Sequence, residues 1–283
     1  VSKLKLLDLF SGIGGFSLGL ERSGGVETVA FCEIEDFPRR VLAKHWPKVP
    51  CYHDIRELTA DRLAADGIAV DAICGGFPCQ DISTAGKGAG IEGERSGLWG
   101  EYARLVGELR PRVVFVENVA ALLGRGLDRV LGDLAALGYD AWWDCIPASA
   151  LGACHQRDRV WLIAYANGGR GKRLQRQLEV SGPSGQGRQD HAADRLWNAP
   201  NAMRGRPSGQ GRAVQSRYPA ANEHRQEHRT EHVLGWPTEP AVRRADDGVS
   251  RRLDRSRLKA LGNAVVPQIP ELLGRAWIEA TNG

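Results

Sequence analysis

Cys79 stands in the run Gly75-Gly76-Phe77-Pro78-Cys79-Gln80, directly after a short apolar stretch, in a setting that suits a thiolate nucleophile. Pro78 fixes its own φ and holds Phe77 extended, and the two glycines let the chain turn, so the sulfur is presented in one direction. A second candidate is Glu117, which ends the apolar run 113–116. A strand buried on both faces would desolvate this carboxyl, raise its pKa and let it give or share a proton. Arg157 and Arg159 follow in His155-Gln156-Arg157-Asp158-Arg159. Spaced by two in an extended segment, they would point to the same side and act on one bound group. A nucleophile, a buried acid and two fixed cations can together add to a substrate and steady the charge that builds up. The ordinary alternatives are an inert buried thiol and arginines paired at the surface with Asp158.

A second group of residues suits a nucleoside. Asp8-Leu9-Phe10-Ser11-Gly12-Ile13-Gly14-Gly15-Phe16 joins a strand-like run to a helical pattern, and its glycines allow a ligand close to the backbone and the helix N-terminus. Glu33 ends the next run, where doubly wound folds set an acid against a ribose diol. Asp54-Ile55 follows the third, offering a carboxylate and an apolar wall to an adenine. Singly, each reads equally well as a tight turn, a helix cap or a surface acid. Their succession at three strand ends argues for a site.

The elements that would position these residues are legible as alternating short apolar runs and helical patterns. Runs at 4–10, 27–33, 70–74, 113–117, 141–146 and 160–164 read as strands, with 49–53 a weaker one; residues 16–22, 37–45, 58–65, 98–109 and 127–137 carry apolar residues at helical spacing. Gly138 is a helix stop. This alternation predicts an α/β fold with a mostly parallel, doubly covered sheet. At 283 residues and 42% hydrophobic content, the chain can bury the core of one large domain, or of one domain with a smaller lobe. Its six cysteines (Cys32, Cys51, Cys74, Cys79, Cys145, Cys154) include no CxxC pair, which indicates a reducing, cytoplasmic compartment with neither a disulfide framework nor a structural metal. Neither a signal peptide nor a membrane span is expected.

Composition changes after residue 164. Residues 168–232 hold twelve Lys and Arg against six Asp and Glu, few large apolar side chains, and the run PSGQGR twice, at 183–188 and 207–212. Because the whole chain carries only +4, the basic excess is concentrated here. Such a segment suits phosphate contacts, with a partly disordered linker as the plainer reading. His224, His228 and His232 recur every four residues and read as a charged helical face rather than a metal site.

Read in order, DLFSGIGG, Glu33, Asp54-Ile55, GGFPCQDIS, GLW at 97–99, ENV at 117–119, RDR at 157–159 and GNAVVP at 262–267 resemble the DNA cytosine-5 methyltransferases of bacterial and phage type. The resemblance covers residues 4–164 and 258 onward. It implies a Rossmann-like S-adenosylmethionine-dependent methyltransferase fold with a mostly parallel twisted sheet, in which residues 1–164 and 252–283 form the catalytic domain and 165–251 a small irregular target recognition insert. It further implies that Cys79 adds to carbon 6 of a flipped cytosine, that Glu117 contacts ring nitrogen 3 and the exocyclic amine, that Arg159 reaches the base, and that Arg157 supports the active-site loop. The cofactor would be S-adenosyl-L-methionine, held by Phe10, Ser11, Gly12, Gly14, Glu33, Asp54, Ile55, Pro78, Leu98 and Asn263, with residues 80–97 closing over the base. Implied partners are double-stranded DNA and, functionally, a cognate restriction endonuclease; a monomer without metal or membrane contact is expected. His155 stands where the family commonly has Gln, and the segment 236–257 lacks a clear counterpart of the family's ninth motif. An RNA cytosine methyltransferase of the same fold and a non-catalytic DNA-binding relative are the competing readings.

Overall fold

A computed structural model describes residues 2–78, 98–166 and 251–282. Strands β1 (Leu4–Leu9), β2 (Val26–Cys32), β3 (Cys51–Tyr52), β4 (Ala72–Gly75), β5 (Val113–Val119), β6 (Tyr139–Ile146) and β7 (Arg159–Ala166) form one sheet, in the order β3-β2-β1-β4-β5-β7-β6. The helices are α1 (Gly15–Arg22), α2 (Asp36–His45), α3 (Ala60–Ala65), α4 (Leu98–Leu109), α5 (Leu127–Ala136), α6 (Arg251–Asn263) and α7 (Gln268–Asn282). Strands β1 to β5 pair in parallel, and β7 runs antiparallel to both β5 and β6. The mostly parallel sheet expected from the alternation is therefore present, with one reversed strand.

Strand β5 shows why the runs were continuously apolar. Val114 and Val116 face a core made with α3, α4 and α5, while Val113 and Phe115 face a second core made with α1 and α7. A strand covered on both sides has no polar face to alternate. Ile269, Leu273 and Trp277 of α7 share that second core with Leu4 and Leu6, which returns the C-terminal helix to the first strand.

Boundaries move where local chemistry dictates. Helix α3 begins at Ala60 rather than 58 because the Thr59 hydroxyl caps it, accepting from the Arg62 amide at 3.1 Å. Helix α5 ends just before Gly138, which takes φ 84°. Helix α6 continues through Gly262 and Asn263, so only 264–267 of the GNAVVP run form a loop. Pro267 disfavours a helical conformation at the residue before it, which keeps α7 from joining α6.

The order of strands reverses between β1 and β4. Chain leaving β1 goes to β2 on one side, and β4 leads to β5 on the other, which opens a crevice at the carboxyl ends of β1 and β4. Phe10 to Gly14, Glu33, Asp54 and Ile55 follow the carboxyl ends of β1, β2 and β3, Glu117 lies near the carboxyl end of β5, and Arg159 opens β7 beside it. Among the described residues, no helix is long and apolar enough to cross a membrane, and no group of His, Cys, Asp and Glu could hold a metal ion. Cys79, the segment 80–97 and the basic segment with its histidines lie outside the described residues.

Candidate active site

The loop after β1 is folded around its own polar groups. Phe10, Gly12 and Gly14 take φ of 53°, 54° and 84°, a left-handed succession that turns the chain sharply into α1. The Ser11 hydroxyl donates to the Asp8 carbonyl at 2.6 Å and accepts from the Cys32 amide at 3.3 Å, which ties the loop to the end of β2. Ser11 is thus a brace for the loop. The Gly12 amide donates to Glu33 Oε2 at 2.7 Å, and the Glu35 amide donates to Glu33 Oε1 at 2.8 Å. Burial raises the Glu33 pKa, and these two amides oppose the shift. A carboxylate offers about four lone-pair sites, so Glu33 keeps acceptor capacity for a diol. A Cβ on Gly12 would meet nothing within 4 Å, so the loop borders open space there.

The other expected cofactor residues divide into available and spent. Asp54 is held by its neighbour: Arg56 Nε and Nη2 bond both carboxylate oxygens at 2.6 to 3.1 Å, and that contact keeps the acid below the usual carboxylate range. The Ile55 side chain is buried in the core, so the expected apolar wall is not formed by its exposed surface. Ile34 is 52% exposed, beside Glu33. Sequence reading passed over it, although an apolar residue following a strand-end acid was a usable signal. Pro78 and Leu98 flank the undescribed segment and are half-buried, and Asn263 is exposed at the end of α6.

On the other side of the crevice, antiparallel pairing sets Glu117 opposite Trp161. Arg159, two residues earlier on β7, is its diagonal neighbour on the same face. Arg159 Nε meets Glu117 Oε1 at 2.9 Å. Burial raises the Glu117 pKa, and the guanidinium charges of Arg159 and Arg157 pull against it. The carboxyl also abuts the loop that carries the candidate nucleophile, since a Cβ on Gly76 would lie 2.8 Å from Glu117 Oε2. Asn118, pointing to the opposite face of β5, donates from Nδ2 to the Phe77 carbonyl at 3.2 Å. It fixes the segment just before Pro78 and was missed in the sequence, because nothing in its spacing marks a contact 41 residues away.

Arg157 and Arg159 do not share one extended segment, which corrects the expectation from their spacing. Strand β7 begins at Arg159, and Arg157 takes φ 42°, outside the extended region in which alternate residues share a side. Its guanidinium instead bonds the carbonyls of Gly262 and Ala264 at 2.6 to 3.0 Å. A further group went unassigned. Asp8 is buried behind the glycine loop, its Oδ2 accepts from Ser17, its Oδ1 has no hydrogen-bond partner, and burial pushes its pKa up to about 7.

The chain is 32% identical over 186 residues to the type II methyltransferase M.HgiBI of Herpetosiphon aurantiacus, covering 64% of this chain and 40% of that protein. It is 36% identical over 169 residues to M2.BsuMI of Bacillus subtilis, covering 57% and 42%. The chain thus spans about two fifths of the length of these curated relatives. Among solved structures, a protein described as a DNA modification methyltransferase encoded within an Escherichia coli prophage superposes with a TM-score of 0.50 at 27% identity, covering 58% of this chain and 47% of that one. A methyltransferase of Entamoeba histolytica superposes with a TM-score of 0.52 at 17% identity, covering 59% and 54%, and shares the fold. The family model for C-5 cytosine-specific DNA methylases matches residues 4–247, and the chain belongs to that family.

Proposed function

We propose that this chain is the catalytic part of an enzyme that methylates carbon 5 of a cytosine flipped out of duplex DNA, with S-adenosylmethionine as donor and Cys79 as covalent nucleophile. The observation that carries this reading is the half-buried Glu117–Arg159 pair set against Gly76, three residues before Cys79. Carbon 5 of cytosine is a poor nucleophile. Addition of the Cys79 thiolate to carbon 6 loads an electron pair onto the ring and raises reactivity at carbon 5. Glu117, with its raised pKa, can share a proton with ring nitrogen 3 as that charge develops, and Arg159 holds the acid in place through its other oxygen. Loss of the carbon 5 proton and departure of the thiolate then restore the aromatic ring. Such chemistry requires an unstacked base.

Phe10, Gly12, Gly14 and Glu33 suit the cofactor, with Asp54, Pro78, Leu98 and Asn263 around them and Ser11 and Ile55 as backing; the open space at Gly12 and the unspent lone pairs of Glu33 fit its ribose. When bound, S-adenosylmethionine supplies a methyl group on a sulfonium centre. The basic segment 165–251 serves as the target recognition insert, reading a DNA site through phosphate and base-edge contacts. The enzyme acts as a monomer on DNA in a bacterial or phage-infected cytoplasm, alongside a cognate restriction endonuclease.

Duplex DNA containing 5-fluorocytosine blocks the final proton loss, so incubation with S-adenosylmethionine should leave a denaturation-resistant protein–DNA adduct. The adduct should vanish in Cys79→Ser. Its persistence in that variant would remove Cys79 from the mechanism, and labelling of transfer RNA in place of duplex DNA would favour the RNA reading.

A further inference from the structure

Residues 262–265 are gripped from two directions by groups distant in sequence. Arg157 Nη1 and Nη2 each donate to the Gly262 carbonyl at 3.0 Å, and Nη2 donates to the Ala264 carbonyl at 2.6 Å, across 105 and 107 residues. On the other side α1 comes close enough that a Cβ on Gly15 would lie 2.5 Å from the Val265 carbonyl oxygen, and one on Gly19 would collide with Pro267. The segment therefore has little slack between the guanidinium and the helix that begins at the glycine loop. Arg157 also lies within the electrostatic reach of Glu117 and Arg159. Its positive φ is uncommon for a residue with a long side chain and persists only where surrounding contacts over-determine it.

We propose that Arg157 is a positioning residue that couples the two halves of the site, passing occupancy of the Glu117–Arg159 pocket by a nucleobase to the loop around Gly14 and Gly15 through the carbonyls of Gly262 and Ala264. The inference rests on the assignment of those halves to base and cofactor given above. A guanidinium presents its donors in a rigid planar fork, so a shift of Arg157 when a base docks beside the Glu117–Arg159 pair moves both carbonyls together. The carbonyl of the next residue, Val265, lies against Gly15, and that movement reaches the start of α1. By thermodynamic reciprocity, a bound cofactor would bias the base pocket by the same factor. A plain structural staple would behave differently: its loss would weaken both ligands without changing how much one helps the other.

The test measures that help. With the full chain, the Kd of S-adenosylhomocysteine is determined by calorimetry, alone and with saturating duplex carrying the target sequence mapped by bisulfite sequencing. In the wild type the duplex should tighten the Kd by at least about fivefold, and in Arg157→Ala and Arg157→Lys the ratio should fall to within about twofold of unity. The lysine variant keeps the charge and loses the fork, so it isolates geometry and guards against misfolding of the alanine variant. Amide exchange at 262–266 should rise in both. A coupling ratio unchanged in both variants, or absent from the wild type, overturns the inference and leaves the functional reading standing. Failure of the wild type to bind either ligand overturns the functional reading and the inference with it.

Discussion

Replacing Gly76 by Ala adds one carbon where the structure leaves it no room, and it tests whether Glu117 and the loop before Cys79 form one unit. The backbone sets no barrier, because Gly76 is not among the residues of positive φ. The added Cβ would lie 2.8 Å from Glu117 Oε2, where ordinary contact begins at 3.4 Å, so a gap of about 0.6 Å has to open. The carboxylate cannot swing aside freely, since its other oxygen is held by Arg159 Nε at 2.9 Å. Segment 76–78 cannot retreat freely either, because the Asn118 to Phe77 hydrogen bond is already 3.2 Å long. Overpacking of this kind costs about 1–3 kcal/mol of stability. Its effect on rate should be larger in proportion: a misplacement of about 1 Å can cost about 100-fold, so this one should slow methyl transfer by at least about tenfold. The assay is single-turnover transfer of labelled methyl to duplex DNA, with urea unfolding run in parallel to confirm a folded variant. A folded Gly76→Ala enzyme working within about threefold of the parent would refute the proposed contact between acid and nucleophile loop.

Removing the cation beside Glu117 should change the pH response as well as the rate. Arg159→Ala deletes a charge that holds the Glu117 pKa down against burial, so the alkaline limb of the single-turnover profile should move to higher pH while the rate falls by at least about 100-fold; a limb moving to lower pH would contradict the assignment of Glu117 as proton donor. Asp8 predicts a stability effect of definite sign. Its folded pKa of about 7 lies above the ordinary 3.8, so its contribution to stability is complete below about pH 4 and is lost as the pH rises through about 7. Between pH 5 and pH 8, Asp8→Asn should therefore gain on the parent by up to about 3 kcal/mol in urea unfolding, and parallel pH responses would show that Asp8 does not titrate as described.

The strands were readable because burial on both faces leaves a local mark. Val113 to Val116 is apolar at every position, and the structure covers both sides of it. Helix ends were less exactly legible: the Thr59 cap trims α3 by two residues, and Gly262 lies inside α6. In the site, residues that meet through neighbouring strand ends were legible, as Gly12 and Glu33 are. Residues whose partners are set by tertiary register were not. Asn118 reaches Phe77 across β4 and β5, and Asp8 carries no spacing that separates it from an ordinary core position.

Arg157 and Arg159 show where periodicity reaches its limit. Parallel strands offer their carboxyl ends to the crevice, so a parallel β7 would present Ala166 there and carry Arg159 away by six or seven steps of about 3.3 Å, roughly 20 Å. Arg159 meets Glu117 only because β7 is reversed, which turns the amino end of that strand, and the loop leading into it, toward the site. Strand direction is a non-local property that the local pattern of apolar residues does not encode. The extended backbone ends at Arg159, and Arg157 before it takes a positive φ and reaches Gly262 and Ala264. Strand direction thus gives Arg159 to the acid, and the backbone turn before it gives Arg157 to the segment against α1.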